Sequence, residues 1–506
     1  MEEWFHALGN SVDTIILADW LSARLDRTAA EPMYRQVLEL MQQAILTGQL
    51  APGTKLPSSR TLAIDLGIAR NTVLHVYDQL TAEGYVNSTT GSGTYVADTA
   101  PRDGAAKKAK AGETKAPCTI SRRGARLIAQ AGVSPKQWGA FMPGVPDVAE
   151  FPARTWSRLQ ARLWKRASPD LLTYAPGGGY RPLRRALSDY LRVARSVKCQ
   201  PDQIIITTGI HQSIDLAVRL LADFGDRAWV EDPCYWGARS VLQSSGLTLV
   251  PIPVDEEGLN PAARDMIEPP RIALVTPSHQ YPLGMVMSLA RRRALLEFAR
   301  QHKVWIIEDD YDSEFRYGSR PLSSLQGLDD AGQVIYVGSL GKMLYPGLRM
   351  GYMVVPEELV DTFRIGVAEL YREGQLMQQA VLTEFILDGH LTSHVRRMRG
   401  LYGERRELLI NAIRARFGDT LAVRGDEAGL HFVLELPQFV DDRAVAADAL
   451  AAGVVTRPLV NYFMNRDEAL RGLMLGYACV PNDQIAPHFA TLADVMEQTI
   501  PLVVSA

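Results

Sequence analysis

Apolar positions along the chain change their spacing several times, and each change marks a predicted element. Between positions 32 and 45 they recur at three- and four-residue intervals (Met33, Val37, Leu38, Met41, Ile45), which predicts an amphipathic helix ending near Gly48. Leu50-Ala51-Pro52-Gly53-Thr54-Lys55-Leu56-Pro57 is rich in turn formers and reads as a connector. A short helix then runs from a Ser58 or Ser59 cap through Leu62, Ala63 and Leu66 to Gly67. A second, starting near Asn71-Thr72, puts Val73, Val76, Tyr77 and Leu80 on one face and stops at Gly84. Tyr85-Val86 and Thr94-Tyr95-Val96 are short β segments around Thr90-Gly91-Ser92-Gly93, a hairpin with glycines at its tip.

From Asp98 to about Arg126 large apolar side chains almost vanish. The run Gly104-Ala105-Ala106-Lys107-Lys108-Ala109-Lys110-Ala111-Gly112 cannot offset its ordering entropy by burial and reads as a flexible, positively charged tether. Beyond it, apolar strands at 203–207, 227–231, 272–276, 304–308 and 334–338 are interleaved with helices, one at 288–302. That alternation predicts an α/β unit with a mostly parallel sheet covered on both faces. The expected organisation is an N-terminal winged helix-turn-helix (1–97), a linker (98–134) and a large α/β unit (135–506) carrying a smaller C-terminal α/β subdomain.

Composition narrows the possible classes. With 506 residues, 47% hydrophobic and 22% charged, the chain has the balance of a globular protein with a sizeable core. A net charge of -3 makes no global case for nucleic acid or membrane, so any DNA contact must come from a local patch. Cys118, Cys199, Cys234 and Cys479 are scattered without metal or redox spacing, and no metal site is expected. No apolar run is long enough to span a bilayer and no secretory signal pattern opens the chain, so a soluble, cytoplasmic protein without membrane contact is expected.

The two short helices with a glycine turn form a helix-turn-helix, whose second helix enters the major groove. Lys55, Arg60 and Arg70 cluster where it would face a duplex. A guanidinium binds phosphate or guanine bidentately, which singles out Arg60 and Arg70. Asn71 and Thr72 stand at the start of the recognition helix, although Thr72 is equally a simple helix cap. Ser58, at the first helix start, and Gly91, at the hairpin tip, complete the expected contacts with double-stranded operator DNA. Leu56-Pro57-Ser58-Ser59-Arg60, Leu66-Gly67-Ile68-Ala69-Arg70-Asn71-Thr72-Val73, Glu83-Gly84-Tyr85 and Gly91-Ser92-Gly93-Thr94-Tyr95-Val96 closely resemble the GntR family across residues 30–97.

In the second unit, polar residues stand just past strand ends, where ligands of α/β sheets bind. Ser339-Leu340-Gly341-Lys342 follows the strand at 334–338, and Arg349 comes seven residues later. A lysine there can hold an aldehyde as a Schiff base, while Ser339 and Arg349 suit a phosphate. Glu308-Asp309-Asp310-Tyr311 ends another strand; a carboxylate there pairs with a protonated pyridine nitrogen, and strand alternation with the spacing from Lys342 selects Asp309 over Asp310. Gly209-Ile210-His211 opens a helix whose N-terminus favours a phosphate. His279 reads equally well as an ordinary loop histidine.

These features resemble the fold-type-I pyridoxal-phosphate enzymes, the aminotransferase family, over roughly residues 135–500. The resemblance implies pyridoxal 5'-phosphate as cofactor, Lys342 as its aldimine lysine, Asp309 as partner of the ring nitrogen and Tyr311 as ligand of the ring hydroxyl. It implies Tyr235 as the aromatic stacked on the ring, and Tyr174 as a tyrosine reaching the phosphate in a neighbouring subunit. Ser278-His279-Gln280-Tyr281-Pro282-Leu283-Gly284 departs from the family's Asn-Pro-Thr-Gly turn, with Tyr281 in place of asparagine. Arg471 and Arg457 are the candidates for an effector carboxylate, both displaced from the usual arginine before the last core strand.

Together the reader, the linker and the aminotransferase-like unit resemble the MocR/GabR subfamily of GntR regulators, especially in Glu308-Asp309-Asp310-Tyr311-Asp312-Ser313-Glu314-Phe315-Arg316-Tyr317. The resemblance implies a head-to-tail homodimer and a transcription regulator sensing an amino compound, or the cofactor itself, through the aldimine at Lys342. A working aminotransferase that carries a DNA-binding domain is the alternative. An empty dimerisation scaffold is disfavoured by the intact pocket residues.

Overall fold

Residues 14–89, 93–98, 120–129, 132, 136–175, 177–318, 323–372, 374–466 and 469–499 are described in the computed structural model. The chain divides into two units, Met1–Thr119 and Ile120–Ala506.

Four helices and a hairpin make the first unit: α1 (Thr14–Ser22), α2 (Met33–Leu46), α3 (Ser59–Leu66), α4 (Arg70–Ala82), β1 (Val86–Thr89) and β2 (Gly93–Val96). The Ser58 side chain caps α3 by accepting from Thr61 N at 3.1 Å, and Gly67 closes it in a left-handed turn. Val37 and Met41 of α2, Leu62 of α3 and Val73, Val76 and Leu80 of α4 are fully buried in one apolar cluster. Tyr77 Oη donates to the Pro57 carbonyl at 2.8 Å and so ties α4 to the connector. That connector joins the hairpin as well, because Leu56 N donates to Thr94 O and Val96 N to Thr54 O. The helix-turn-helix and wing expected from sequence are therefore present, with α1 added and α4 beginning one residue earlier than expected. Residues 90–92, including Gly91 at the wing tip, lie outside the described residues.

The second unit opens with helix Arg122–Ala129, inside the stretch read as tether. Its large sheet has eight strands: β3 (Ile204–Thr207), β4 (Arg227–Asp232), β5 (Thr248–Asp255), β6 (Gly258–Leu259), β7 (Ile272–Val275), β8 (Trp305–Asp310), β9 (Val334–Ser339) and β10 (Gly351–Val354). They lie in the order β3-β10-β9-β8-β7-β4-β5-β6. The run β9-β8-β7-β4-β5 is parallel. β7 and the first five residues of β9 are buried throughout, as strands covered on both faces must be. β10 runs antiparallel between β3 and β9, and Gly351 stands opposite both Thr207 and Ser339. A Cβ at 351 would lie 2.8 Å from Gly209 Cα and 3.0 Å from the Gly338 carbonyl, so the position requires glycine.

A four-stranded sheet forms the smaller C-terminal subdomain: β11 (Val423–Arg424), β12 (His431–Glu435), β13 (Arg457–Pro458) and β14 (Gly472–Gly476), ordered β11-β12-β14-β13. Helices Asp442–Ala451 and Asn482–Thr499 pack with it, and Phe432, Leu434, Leu473 and Leu475 are buried in the same cluster as Phe489 and Leu492. Fold class and subdomain order agree with the sequence reading.

Candidate cofactor pocket and DNA-reading surface

At the carboxyl ends of β3, β8 and β9 a cavity of about 200 Å³ gathers nine of the eleven residues expected to hold a cofactor. They are Gly209, Ile210, Tyr235, Tyr281, Asp309, Tyr311, Ser339, Lys342 and Arg349. The common origin is topological, since parallel strands deliver all their downstream turns to one edge of the sheet.

Lys342 Nζ donates to the Gly144 carbonyl at 2.5 Å. Desolvation holds its amine below the usual ammonium range, against the opposing pull of Asp312 and Asp309. Asp309 borders the cavity without a hydrogen-bond partner among the described residues. Burial, reinforced by the charges of Asp310 and Asp312, raises its carboxyl to about 8. Asp310 faces the other way: it accepts from Arg195 Nε at 2.7 Å and from Tyr336 Oη at 2.5 Å. The choice of Asp309 from strand alternation agrees with this geometry.

Gly209 turns β3 into helix Ile210–Leu221 at a φ of +122°, which brings the start of that helix, Gly209 and Ile210, to the cavity beside Ser339 and Arg349. His211 lies outside the lining and shares a 3.2 Å hydrogen bond with Tyr235 Oη. Burial first, and Arg349 second, keep it below the ordinary histidine range. Its imidazole thus braces the aromatic wall in the neutral form.

Tyr281 meets both Tyr235 and Tyr311 edge-on, with ring centroids 5.7 and 5.4 Å apart. Tyr462, which the sequence reading missed, packs on Tyr281 at 5.6 Å. Also missed were Gly144 and Arg195, brought in from distant parts of the chain, and the buried Asp312, which follows Tyr311 directly. His279, which from sequence reads equally as a site residue or an ordinary loop histidine, sits behind Tyr311 and contacts its hydroxyl at 2.8 Å.

Three expected residues lie elsewhere. Tyr174 is 75% exposed, outside the cavity, with the Arg372 guanidinium 5.7 Å from its ring centroid. Arg471 points at Asp442, with Nη1 to Oδ1 at 3.7 Å, and Asp442 in turn accepts from Val460 N and Gly472 N. Arg457, on β13 opposite Met474, donates to the Lys136 carbonyl at 2.9 Å and approaches Met142 Sδ at 3.4 Å. Residues 142–144 therefore touch both Arg457 and Lys342.

On the first unit, Arg60 in the first turn of α3 and Arg70 and Asn71 at the start of α4 are exposed, and Arg70 Nε lies 3.5 Å from Ser59 Oγ. Thr72 is not the helix cap. Ala69 holds that place without a side-chain bond, so the Thr72 hydroxyl is not engaged in capping. Ser58, by contrast, is occupied in capping α3.

A winged helix-turn-helix and a lysine-floored pocket on an aminotransferase-type sheet together define a DNA-binding regulator built on a cofactor-binding fold. The pattern of bacterial regulatory proteins of the gntR family matches residues 33–96, and that of aminotransferase class I and II matches residues 147–471. The chain is 41% identical to a probable rhizopine catabolism regulatory protein, MocR, of Rhizobium meliloti, covering 90% of this chain and 92% of that protein. It is 31% identical to the transcriptional regulator TauR of Rhodobacter capsulatus, over 91% of this chain and 96% of the relative. Among solved structures it resembles LysN, an α-aminoadipate aminotransferase of Thermus thermophilus complexed with N-(5'-phosphopyridoxyl)-L-leucine. There the TM-score is 0.67 at 26% identity, over 76% of this chain and all of that one. This chain belongs to the MocR-type GntR regulators, transcription regulators whose second unit is an aminotransferase-like, pyridoxal-phosphate domain. Among the described residues no helix is long and apolar enough to cross a membrane.

Proposed function

We propose that this regulator works in the cytoplasm as a head-to-tail homodimer and senses an amino compound, or pyridoxal phosphate itself, in the pocket floored by Lys342. The convergence of a low-basicity lysine, an unpaired buried carboxylate and a helix N-terminus on one cavity carries this reading.

The pocket fits pyridoxal phosphate on three counts. Lys342 is the attaching amine, its nitrogen committed only to a carbonyl. Asp309 offers a buried carboxyl, without a hydrogen-bond partner among the described residues, that would ionise against a protonated ring nitrogen. Ser339, Arg349 and the first turn of helix Ile210–Leu221 offer donors and positive potential to a phosphate. When bound, pyridoxal phosphate supplies an aldehyde that reacts with amines and a ring that withdraws electrons. Tyr235 and Tyr281 wall the ring site, and Tyr311 presents its hydroxyl to the ring oxygen. Arg457 is favoured over Arg471 as the clamp for an anionic group on the effector, because Asp442 already engages Arg471. Tyr174, exposed on one protomer, is available to a partner's phosphate site.

Competition between the effector's amine and the Lys342 amine for one attachment point is the signal. It alters DNA binding only insofar as the two occupied states favour different arrangements of the paired readers. Arg60, Arg70, Asn71 and Thr72 are the proposed contacts to operator DNA.

The test is the visible absorption spectrum of the purified protein and of Lys342→Ala, each with pyridoxal phosphate and a panel of amines, read beside operator mobility shifts. A band lost in the variant and shifted by an amine that also changes operator binding supports the proposal. Sustained conversion of the amine to a keto product moves the reading to an aminotransferase. No band in either protein removes it.

A further inference from the structure

The hydroxyl of Tyr311 is held from behind by a buried pair that none of the roles above uses. His279 Nδ1 lies 2.8 Å from Tyr311 Oη and 3.1 Å from Asp312 Oδ1. The His279 and Asp312 side chains are almost entirely buried, at 2% and 1% exposure. A carboxylate only accepts hydrogen bonds, so the contact with Asp312 requires a proton on Nδ1. That nitrogen then has no lone pair in the ring plane to accept from Tyr311. Tyr311 must take the hydrogen bond rather than give it, and its own proton is turned away from His279, toward the cavity it lines.

We infer that His279, oriented by Asp312, is a positioning residue that fixes Tyr311 as a hydrogen-bond donor into the pocket. The inference rests on the proposal that pyridoxal phosphate binds there with its ring oxygen toward Tyr311. Packing around His279 supports a fixed imidazole: Nε2 is buried without a partner among the described residues, and a Cβ at Gly429 would lie 2.3 Å from Cε1. The titratable groups facing the ring from neighbouring elements are Tyr311, Asp312 and His431, whose ring centroid is 5.9 Å away. His431 is kept neutral chiefly by its burial, with its pKa lowered to about 3. Donation from Tyr311 draws charge from the ring oxygen. With pyridoxal phosphate bound, that donation would lower the pH at which its visible band titrates.

The experiment is a pH titration of the visible band of the cofactor-loaded protein in five forms: wild type, His279→Phe, His279→Asn, Tyr311→Phe and the double variant His279→Phe/Tyr311→Phe. Loss of a charge-assisted donor is expected to raise the midpoint by roughly one pH unit in Tyr311→Phe and by a smaller amount in His279→Phe. Asn keeps an N–H near the place of Nδ1 and is expected to restore the wild-type midpoint. His279→Gln, whose amide lies nearer Nε2 and leaves a polar group in the site, should behave as Phe does and replaces it if Phe does not fold. In the double variant the histidine change is expected to add nothing, since it acts through Tyr311. An unchanged midpoint in His279→Phe or Gln, or an equal shift with and without Tyr311, overturns the inference while leaving cofactor binding intact. A wild-type protein with no band at all overturns the cofactor reading beneath it.

Discussion

Replacing Arg195 by leucine removes one half of an ion pair that lies directly behind the pocket. Arg195 Nε is 2.7 Å from Asp310 Oδ2, both side chains are 2% exposed, and Nη2 donates to Ser278 Oγ at 2.8 Å. At an effective dielectric near 20, charges at this separation attract by about 6 kcal/mol, and most of that offsets the cost of taking both ions out of water. Deleting the cation alone leaves that cost on Asp310 with only the Tyr336 hydroxyl in compensation. The expected loss is about 3–5 kcal/mol, a large share of the roughly 5–15 kcal/mol by which domains are stable. Urea titration of the cofactor-free protein, followed by tryptophan fluorescence, measures it. Arg195→Leu/Asp310→Asn removes the stranded charge, and about half or more of the loss is expected to return. A single variant within about 1 kcal/mol of wild type, or a double variant no more stable than the single, refutes the account of this pair.

Buried carboxyls make the second unit sensitive to alkali. Burial raises Glu231 and Glu308 to about 7 and Asp309 to about 8, above their unfolded values. At these three groups the folded state therefore binds more protons, and the stability they contribute is full below about pH 4 and declines as pH rises to about 8. Asp309→Asn is expected to flatten part of that decline in cofactor-free urea titrations between pH 5 and 9, and to weaken pyridoxal phosphate binding in an absorbance titration. In the first unit, Tyr77→Phe loses the bond to the Pro57 carbonyl and should cost about 1–2 kcal/mol in thermal unfolding. Arg70→Ala and Arg60→Ala should weaken operator binding in fluorescence anisotropy. A variant that removes a phosphate contact lowers the slope of log affinity against log salt by about 1; one that removes a base contact costs about 1–3 kcal/mol and relaxes sequence preference.

The sequence made legible whatever depends on local chemistry. Ser58, Gly67 and the apolar stripe of α4 announced the reader because caps, turns and periodicity act within a few residues. Lys342, Asp309 and Gly209 were legible because each follows a recognisable strand, and parallel strands deliver their ends to one place. Helix Arg122–Ala129 was hidden, since it buries no side chain and sits in a stretch poor in large apolar residues. The reversed strand Gly351–Val354 was missed because four residues are too few to tell a strand from a connector. Arg457 and Arg471 were inseparable by spacing, and the Asp442 carboxylate beside Arg471 comes from a different stretch of chain. Arg195 and Asp310 are 115 positions apart, and no one-dimensional pattern links them.

Gly351 sets a distance that matters to how such a pocket diversifies. Through one rung of hydrogen-bonded backbone it spaces the turn that opens helix Ile210–Leu221 from the turn that carries Lys342. The gauge between the two proposed anchorage points of a cofactor is thereby built from main chain, with no side chain in it to mutate. Side chains of the lining such as Tyr235 and Tyr281 stand outside that rung, so their substitution leaves the spacing unchanged. A regulator can change what it hears without changing what it holds.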